Sequence, residues 1–300
     1  MKNVHTERRR FLSVVGGAAV GSSVLATAAA AKNPGQGGGF PPKGITEWSS
    51  PRSLGDGEIR TFASTTPSGK PKYVGLHFSD GAMTNLPTPT ELEEGDGTEL
   101  HGGFMSKLYA IPFPSSAPAP FEFMGFGWNS EGHLPRGVYS KPHFDVHFYF
   151  RPPEEILEIG PRNPAPNTPP PITDEDVADG QIPDGYRLIE GGNVIPNMGA
   201  HMAPTGAPEF ENPDDASDWL KTLIWGAADT DEDDVFELNF VEPMVTVDFF
   251  RNHLDGVHRE GIAQPEQYPT DGWYPTTYAL RDLGDGGYAA VMEGFEERSE

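Results

Sequence analysis

The chain has 300 residues, of which 36% are hydrophobic and 11% aromatic, so it can bury a core and is neither wholly disordered nor fibrous. Its 36 glycines and 31 prolines favour turns and short strands over long helices and so disfavour an all-helical bundle. The sequence contains no cysteine, so disulfide scaffolds and thiolate sites are excluded and any metal site has to use histidine, carboxylate or carbonyl ligands.

The net charge at pH 7 is -24, and the acidic residues are spread along the whole chain. Phosphate binding needs a basic surface, so we expect no nucleic-acid partner. Molar salt shortens the Debye length to about 3 Å and screens the self-repulsion of such a chain. The composition therefore predicts a salt-adapted, halophilic protein; the alternative is an acidic secreted protein that works at ordinary salt.

The N-terminus predicts export. Arg8, Arg9 and Arg10 precede a weakly apolar run of small residues up to position 31, which is typical of a twin-arginine signal peptide over residues 1–31. We expect it to be cleaved, which leaves no integral membrane segment and places the protein outside the cell or in the cell envelope. Residues 32–44 are predicted to be a Gly/Pro linker, and residues 45–300 a single β-rich domain.

Strand signals follow one another along the domain, separated by glycine and proline. They lie at residues 59–64, 73–78, 107–113, 121–128, 142–150, 186–189, 219–225, 235–241, 276–280 and 288–292. A hairpin is expected at 285–287, short helices at 88–94 and 245–252, and an exposed Pro-rich excursion at 161–185 that serves as a lid or an oligomer contact. The predicted fold is mainly β: a single-domain β-sandwich or barrel-like fold with a few short helices and a long Pro-rich loop.

The most informative segment is the strand at 142–150. With side chains alternating between faces, His143, Asp145, His147 and Tyr149 share one face, and the other face is apolar. Positions i and i+4 of a strand are about 13 Å apart, so chelating pairs are expected at i and i+2, about 6.6 Å apart. Asp145 with His147, or His143 with Asp145, are such pairs.

Two loop histidines complete the candidate site, His133 before the strand and His201 after the turn at 196–200. We predict that His147, Asp145 and His201 are the first ligands of a divalent ion, which is zinc, iron, manganese or copper, and that His133 or His143 are further ligands or support them. Glu131 and Tyr149 are the candidates for moving a proton. The alternative interpretation is a buried hydrogen-bond network in which Asp145 fixes an imidazole tautomer.

The remaining motifs are weaker. His77, His101, His253 and His258 are expected to be structural or solvated, and the acidic run at 229–234 to be a solvated loop. The sequence has no Gly-x-Ser-x-Gly elbow, P-loop or dinucleotide fingerprint. A ligand site built from tryptophans stays open, with these members: Trp128, Trp219, Trp225 and Trp273.

Four blocks carry a family resemblance: GWNSEGHLPRGVY at 127–139, PHFDVHFY at 142–149, IPNMGAH at 195–201 and VEPMV at 241–245. In these blocks the chain resembles an uncharacterised family of secreted proteins of unknown function. It departs from that family's pattern at Val146, where phenylalanine is usual, and at Met202, where tryptophan is usual. The resemblance implies an exported, mainly β domain and no established reaction.

Two functions are therefore predicted. The first is an exported acidic protein with a His/Asp divalent metal site, whose small-molecule ligand and enzymatic status are open. The second is a non-catalytic cell-envelope module, structural or interacting, whose His/Asp strand is a buried hydrogen-bond network. Homo-oligomerisation through the Pro-rich excursion is possible under either prediction.

Overall fold

The computed structural model describes residues 39–99, 104–189, 191–211 and 218–299. The predicted signal peptide, the linker up to residue 38 and His101 lie outside the described residues. Within them, the chain forms two antiparallel β-sheets that pack face to face, with a few short helices at their margins. The predicted β-sandwich is confirmed.

In the residues that the structure describes, sixteen strands build the two sheets. The first eight are β1 (Thr46–Trp48), β2 (Arg52–Leu54), β3 (Gly57–Thr65), β4 (Pro71–Phe78), β5 (Thr98–Glu99), β6 (Met105–Pro112), β7 (Phe123–Asn129) and β8 (His143–Tyr149). The last eight are β9 (Tyr186–Leu188), β10 (Val194–Ile195), β11 (Gly199–Pro204), β12 (Lys221–Ala228), β13 (Glu237–Thr246), β14 (Val257–Gly261), β15 (Gly272–Asp282) and β16 (Tyr288–Arg298).

The first sheet has the order β1-β3-β4-β16-β15-β14, with β2 paired to β3. The second sheet has the order β10-β11-β12-β13-β8-β7-β6-β5, with β9 paired to β11. The histidine-rich strand β8 thus lies in the interior of the second sheet, between β13 and β7. Both of its edges are paired, so its backbone is held on either side.

Aromatic side chains fill the space between the sheets. Phe78 of the first sheet contacts Phe126 and Phe144 of the second, with ring centroids 5.6 and 5.3 Å away. Phe121 and Phe295 make a similar contact at 5.8 Å. Each fully buried phenylalanine stabilises the fold by about 1.5–3 kcal/mol. The apolar face of β8 is therefore the inner face of the second sheet, and the face with His143 is its outer face.

One of the two predicted helices lies where it was expected, and the other begins later in the chain than predicted. Helix α1 (Pro89–Glu94) begins as expected, because Thr88 and Glu91 form a capping box at its N-terminus. The predicted helix at 245–252 starts too early. Val245 still pairs with Phe144 in β13, and the helical turn is a π-helix at Phe249–His253. A second short helix, α2 (Pro153–Ile156), was not predicted.

Several short strands were missed, and one of them changes the site. His201 was expected in a loop but lies in β11, paired opposite Gly226 of β12. The segment at 257–261, for which no strand was predicted, forms edge strand β14. Both strands contain glycine, proline or charged residues, which lower their own strand propensity. They form because they pair with the longer strands β12 and β15.

The Pro-rich excursion is irregular, with one 3₁₀ turn at Asp174–Asp176. Most of its prolines are exposed, as predicted. It is nevertheless anchored to the domain, because Ile172 and Val177 are buried and the Gln181 side chain accepts a hydrogen bond from the Leu238 amide at 2.8 Å. Among the described residues, no helix combines the length and apolar character needed to cross a membrane.

Candidate metal centre

The outer face of β8 is polar yet buried. His143, Asp145 and His147 are 0%, 4% and 4% exposed. On the neighbouring strand β7, Gly127 lies opposite Asp145 and Gly125 lies opposite His147. A Cβ at Gly127 would stand 3.4 Å from Asp145 Oδ2, so the two glycines leave room for the polar side chains beside them.

One cluster, the Asp145 triad, consists of His133, His143 and Asp145. His143 Nε2 lies 3.0 Å from Asp145 Oδ1, and His133 Nε2 lies 3.4 Å from Asp145 Oδ2. The loop that carries His133 turns back over β8 at Gly132, which has a φ of 82°. Asn129 donates from Nδ2 to Asp145 Oδ2 at 2.7 Å.

The other cluster, the Glu242 triad, consists of His147, His201 and Glu242. The pairing of β13 with β8 brings Val241 opposite Phe148 and Met244 opposite Asp145, so Glu242 falls opposite His147. His147 Nε2 and Glu242 Oε2 are 3.4 Å apart. Neither atom has a hydrogen-bond partner in the described part of the chain.

Backbone carbonyls set the tautomer of three of these imidazoles. His143 Nδ1 lies 2.7 Å from the carbonyl oxygen of Lys141. His133 Nδ1 lies 2.6 Å from that of Leu134, and His147 Nδ1 lies 3.3 Å from that of Gly125. A carbonyl only accepts, so Nδ1 carries the proton and Nε2 of the neutral ring presents a lone pair. The Nε2 lone pair of His143 accepts a hydrogen bond from Asn129 Nδ2 at 3.2 Å and also faces the carboxylate of Asp145, which only accepts.

Burial keeps the imidazoles neutral. It lowers the pKa of His143, lowers the pKa of His147 to about 4, and lowers that of His201 to about 3. The nearby rings of His147 and His133 depress the pKa of His201 further. At neutral pH the three side chains are therefore available as metal ligands, which have to be deprotonated.

The two carboxyls differ in charge. Burial alone would raise the pKa of Asp145, but the neighbouring His143 and His133 outweigh it and hold that pKa well below the usual range. Burial, followed by the charge of Asp145 and a hydrogen bond to it, raises the pKa of Glu242 well above its usual value. Glu242 therefore keeps its proton beside ionised Asp145, and a cation bound there would displace that proton.

The spacing of the facing atoms fits a coordination sphere. Bonds of about 2.0–2.1 Å from an ion to its ligands separate neighbouring ligand atoms by about 3.0 Å in an octahedron and about 3.4 Å in a tetrahedron. The three nitrogen–oxygen distances across the triads are 3.0, 3.4 and 3.4 Å. Each triad offers two imidazoles and one carboxylate, a donor set used by catalytic zinc and non-haem iron sites.

A cavity of about 60 Å³ opens beside the triads. That is room for a few waters or a small ligand. Its polar side is formed by His133, Asp145, His147, His201 and Glu242. The opposite walls are largely apolar: Leu134, Tyr139, Ile189, Ile195, Met198 and Met244.

The structure brings all five predicted ligands to this face but divides them. His143 and His147 fall in different triads, as expected from the separation of about 13 Å between positions i and i+4 of a strand. Asp145 lies with His143 and His133 rather than with His147. The expected grouping of His147, Asp145 and His201 around one ion is thus replaced by a grouping with Glu242. The register of β13 on β8 and the fold of the His133 loop decide this grouping, and neither can be read from spacing within one strand.

Glu242 and Asn129 were missed as site residues. Glu242 left one signal, a single acid inside the apolar stretch of β13, where an unpaired charge is costly. Asn129 ends β7 opposite His143, and its oxygen accepts a hydrogen bond from Ser106. That bond orients the Asn129 amide nitrogen toward Asp145 and His143.

The two candidates for proton transfer lie apart from the cavity lining. Glu131 is exposed on the loop before His133. Tyr149 is buried, and its ring stacks on His147 at 5.4 Å with an 8° interplanar angle. Burial, together with the charges of Glu242 and Asp145, raises the pKa of Tyr149 well above its usual value.

The other candidates lie elsewhere. His77 is buried and hydrogen bonds the Gly286 carbonyl, and His253 and His258 pair with nearby carboxylates. Trp128, Trp219 and Trp225 are buried at 4%, 2% and 0% exposure, so they cannot stack on a ligand at the surface. The acidic run forms an exposed turn in which Asp229, Asp231 and Asp233 approach one another.

Comparison of the chain with protein-family models, curated proteins and solved structures finds no match in any of the three. The resemblance to an uncharacterised secreted family therefore stays a prediction.

Proposed function

We propose that this protein is an exported, salt-adapted protein that holds a divalent metal ion between His147, His201 and Glu242. One observation carries the proposal: His147 Nε2 and Glu242 Oε2 are buried, face each other at 3.4 Å, and lack a hydrogen-bond partner among the residues described. Each unpaired buried polar atom costs about 1–3 kcal/mol. An ion between them would satisfy both atoms at once.

The donor set limits the choice of ion. Two imidazoles and one carboxylate suit zinc, iron, manganese or copper, whereas calcium and magnesium prefer oxygen ligands alone. The chain contains no cysteine, so thiolate-selected ions are not favoured. An ion held by three protein ligands keeps open positions, and such an ion acidifies bound water and polarises carbonyl groups.

The test is elemental analysis of the protein, purified in molar salt without a metal-affinity step. We expect a near-stoichiometric first-row ion in the parent protein and its loss in His147→Ala and Glu242→Gln. His253→Ala, which removes an exposed histidine outside the cavity, is the matched control and should keep the ion. A parent protein that carries no metal and takes none up after dialysis against zinc or manganese would refute the proposal.

The hydrogen bonds of Asp145 favour a second candidate function, a non-catalytic cell-envelope module with a buried polar network. Asn129 donates to Asp145 at 2.7 Å, and Ser106 holds the amide in place. Such a network predicts a protein whose melting temperature is indifferent to chelators. In that case His147→Ala would destabilise the fold without any change in metal content.

Export and salt adaptation have separate tests. Arg8→Lys combined with Arg9→Lys should retain the protein inside the cell if the twin-arginine route is used. Dialysis to low salt should abolish the near-UV circular dichroism signal if the acidic surface depends on screening. A signal that persists at low salt would favour the ordinary acidic secreted protein.

A further inference from the structure

We propose that the site is a two-ion centre, with a second divalent ion in the Asp145 triad beside the ion of the Glu242 triad. This inference rests on the proposed function. It assigns His133, His143 and Asp145 to an ion of their own rather than to support of the first one. The two triads have the same composition, two imidazoles and one carboxylate, and the ligand atoms within each lie within 4.8 Å of one another.

The contact between His143 and Asp145 is the first reason. His143 Nε2 lies 3.0 Å from Asp145 Oδ1, yet Asp145 Oδ1 has no hydrogen-bond partner in the described parts of the chain. His143 Nδ1 already donates to the Lys141 carbonyl, so the neutral ring turns a lone pair toward the carboxylate. Asp145 Oδ1 is therefore a buried acceptor that faces an imidazole nitrogen without a proton, and a cation bound between these two atoms would give Oδ1 a partner.

His133 repeats this arrangement from the opposite side. Its Nδ1 lies 2.6 Å from the Leu134 carbonyl, so its Nε2 is also directed at Asp145, 3.4 Å from Oδ2. Metal-bound histidines commonly donate their second ring N–H to a backbone carbonyl, which fixes the orientation of the ligand nitrogen. Both imidazoles of this triad are held in that way.

Asn129 supports the carboxylate without occupying the position of the ion. Its Nδ2 donates to Asp145 Oδ2 at 2.7 Å and leaves Oδ1 for another partner. The same nitrogen also donates to the Nε2 lone pair of His143 at 3.2 Å, a hydrogen bond that a bound ion would have to replace. We assign Asn129 as a positioning residue that orients Asp145.

The two triads are adjacent through their carboxyls. Glu242 lies within hydrogen-bonding reach of Asp145, and both side chains line the same cavity. Two-ion sites in proteins place neighbouring ions where carboxylates can bridge or neutralise both. Ionised Asp145 and Glu242 supply two negative charges to offset two divalent cations in a buried site.

The experiment counts ions per chain. The purified full chain is stripped with a chelator, titrated with Zn²⁺ in molar salt by calorimetry, and analysed for zinc after gel filtration. We expect two ions per chain in the parent protein and in His253→Ala, and one in His143→Ala and in His147→Ala. Near-UV circular dichroism checks that each variant is folded.

His133→Ala is the second variant, because His133 lies on a loop and its side chain is 21% exposed, so its loss should spare the fold. It should bind the second ion at least tenfold more weakly. Asn129→Ala should weaken the same ion and leave the other unchanged. Mn²⁺ loading gives a separate readout, since two neighbouring ions produce a spin-coupled electron paramagnetic resonance spectrum and one ion does not.

The outcomes separate the two proposals. One ion that survives His143→Ala and His133→Ala but is lost in His147→Ala would overturn the two-ion centre and leave the proposed function intact. A single bound ion that is lost in His143→Ala and kept in His147→Ala would overturn both the two-ion centre and the proposed function, because neither assigns the ligands in that way. No bound zinc in the parent protein would overturn both proposals together.

Discussion

The two faces of strand β8 are equally buried and chemically opposite. On the inner face Phe144, Val146 and Phe148 are 0% exposed and pack between the sheets. On the outer face His143, Asp145 and His147 are at most 4% exposed, and Asp145 and His147 each retain an atom without a partner within the described structure. Burial is favourable for the first set and costly for the second. The inner face therefore stabilises the fold, whereas a bound ion would offset the free energy lost by burying the polar groups of the outer face.

The largest expected effect on the free energy of unfolding comes from a substitution on the inner face. Phe144→Ala should lower the free energy of unfolding by about 3–5 kcal/mol, because it leaves a cavity among Phe78, Phe126 and Trp128. Chemical denaturation measures the change. Metal content per folded chain should stay as in the parent protein; a loss of metal in the folded variant would mean that the two faces are not independent.

His77, a buried histidine outside the triads, makes stability depend on pH without any role in metal binding. His77 bonds the Gly286 carbonyl, and burial lowers its pKa from 6.5 to about 4, with Arg60 adding to the effect. The unfolded chain then binds more protons, so this stability is fully present above pH 6.5 and is lost as the pH falls toward 4, by about 3 kcal/mol.

Denaturation across pH 7 to 4 tests this contribution. His77→Gln should show a shallower loss of stability over that window than the parent protein, in the presence or absence of a chelator. An equal slope in both proteins would assign the pH dependence to other groups.

Removing metal probes the outer face directly. At a free ion concentration one hundred times the dissociation constant, binding stabilises the native state by about 2.7 kcal/mol. A chelator should therefore lower the melting temperature of the parent protein by several degrees and lower that of His147→Ala by less. Equal melting curves for the parent protein with and without chelator would support the hydrogen-bond network instead.

Glu242 changes the pH dependence of the metal-free protein. Its pKa is raised well above 4.5, so the folded state binds the extra proton and loses stability as the pH rises above 4.5. The loss amounts to about 1.4 kcal/mol for each pH unit up to the folded-state pKa. Glu242→Gln imitates the protonated form and should remove this slope in metal-free denaturation curves. With metal present, the same variant should be less stable than the parent protein.

Local sequence patterns carried much of the architecture. The alternation at 142–150 predicted both faces of β8, because a strand exposes successive side chains to opposite sides whatever it pairs with. The short helix predicted at 88–94 and the hairpin predicted at 285–287 are both present, since caps and tight turns depend on neighbouring residues only.

The arrangement of the site needed contacts between distant parts of the chain. Glu242 meets His147 only through the register of β13 on β8, and His133 meets Asp145 only because its loop turns back at Gly132. A spacing rule within one strand cannot contain that information. Five of the six candidate ligands were therefore predicted from residue types and strand alternation, whereas the place of Glu242 and the division into two triads were decided by strand register and loop closure in the folded molecule.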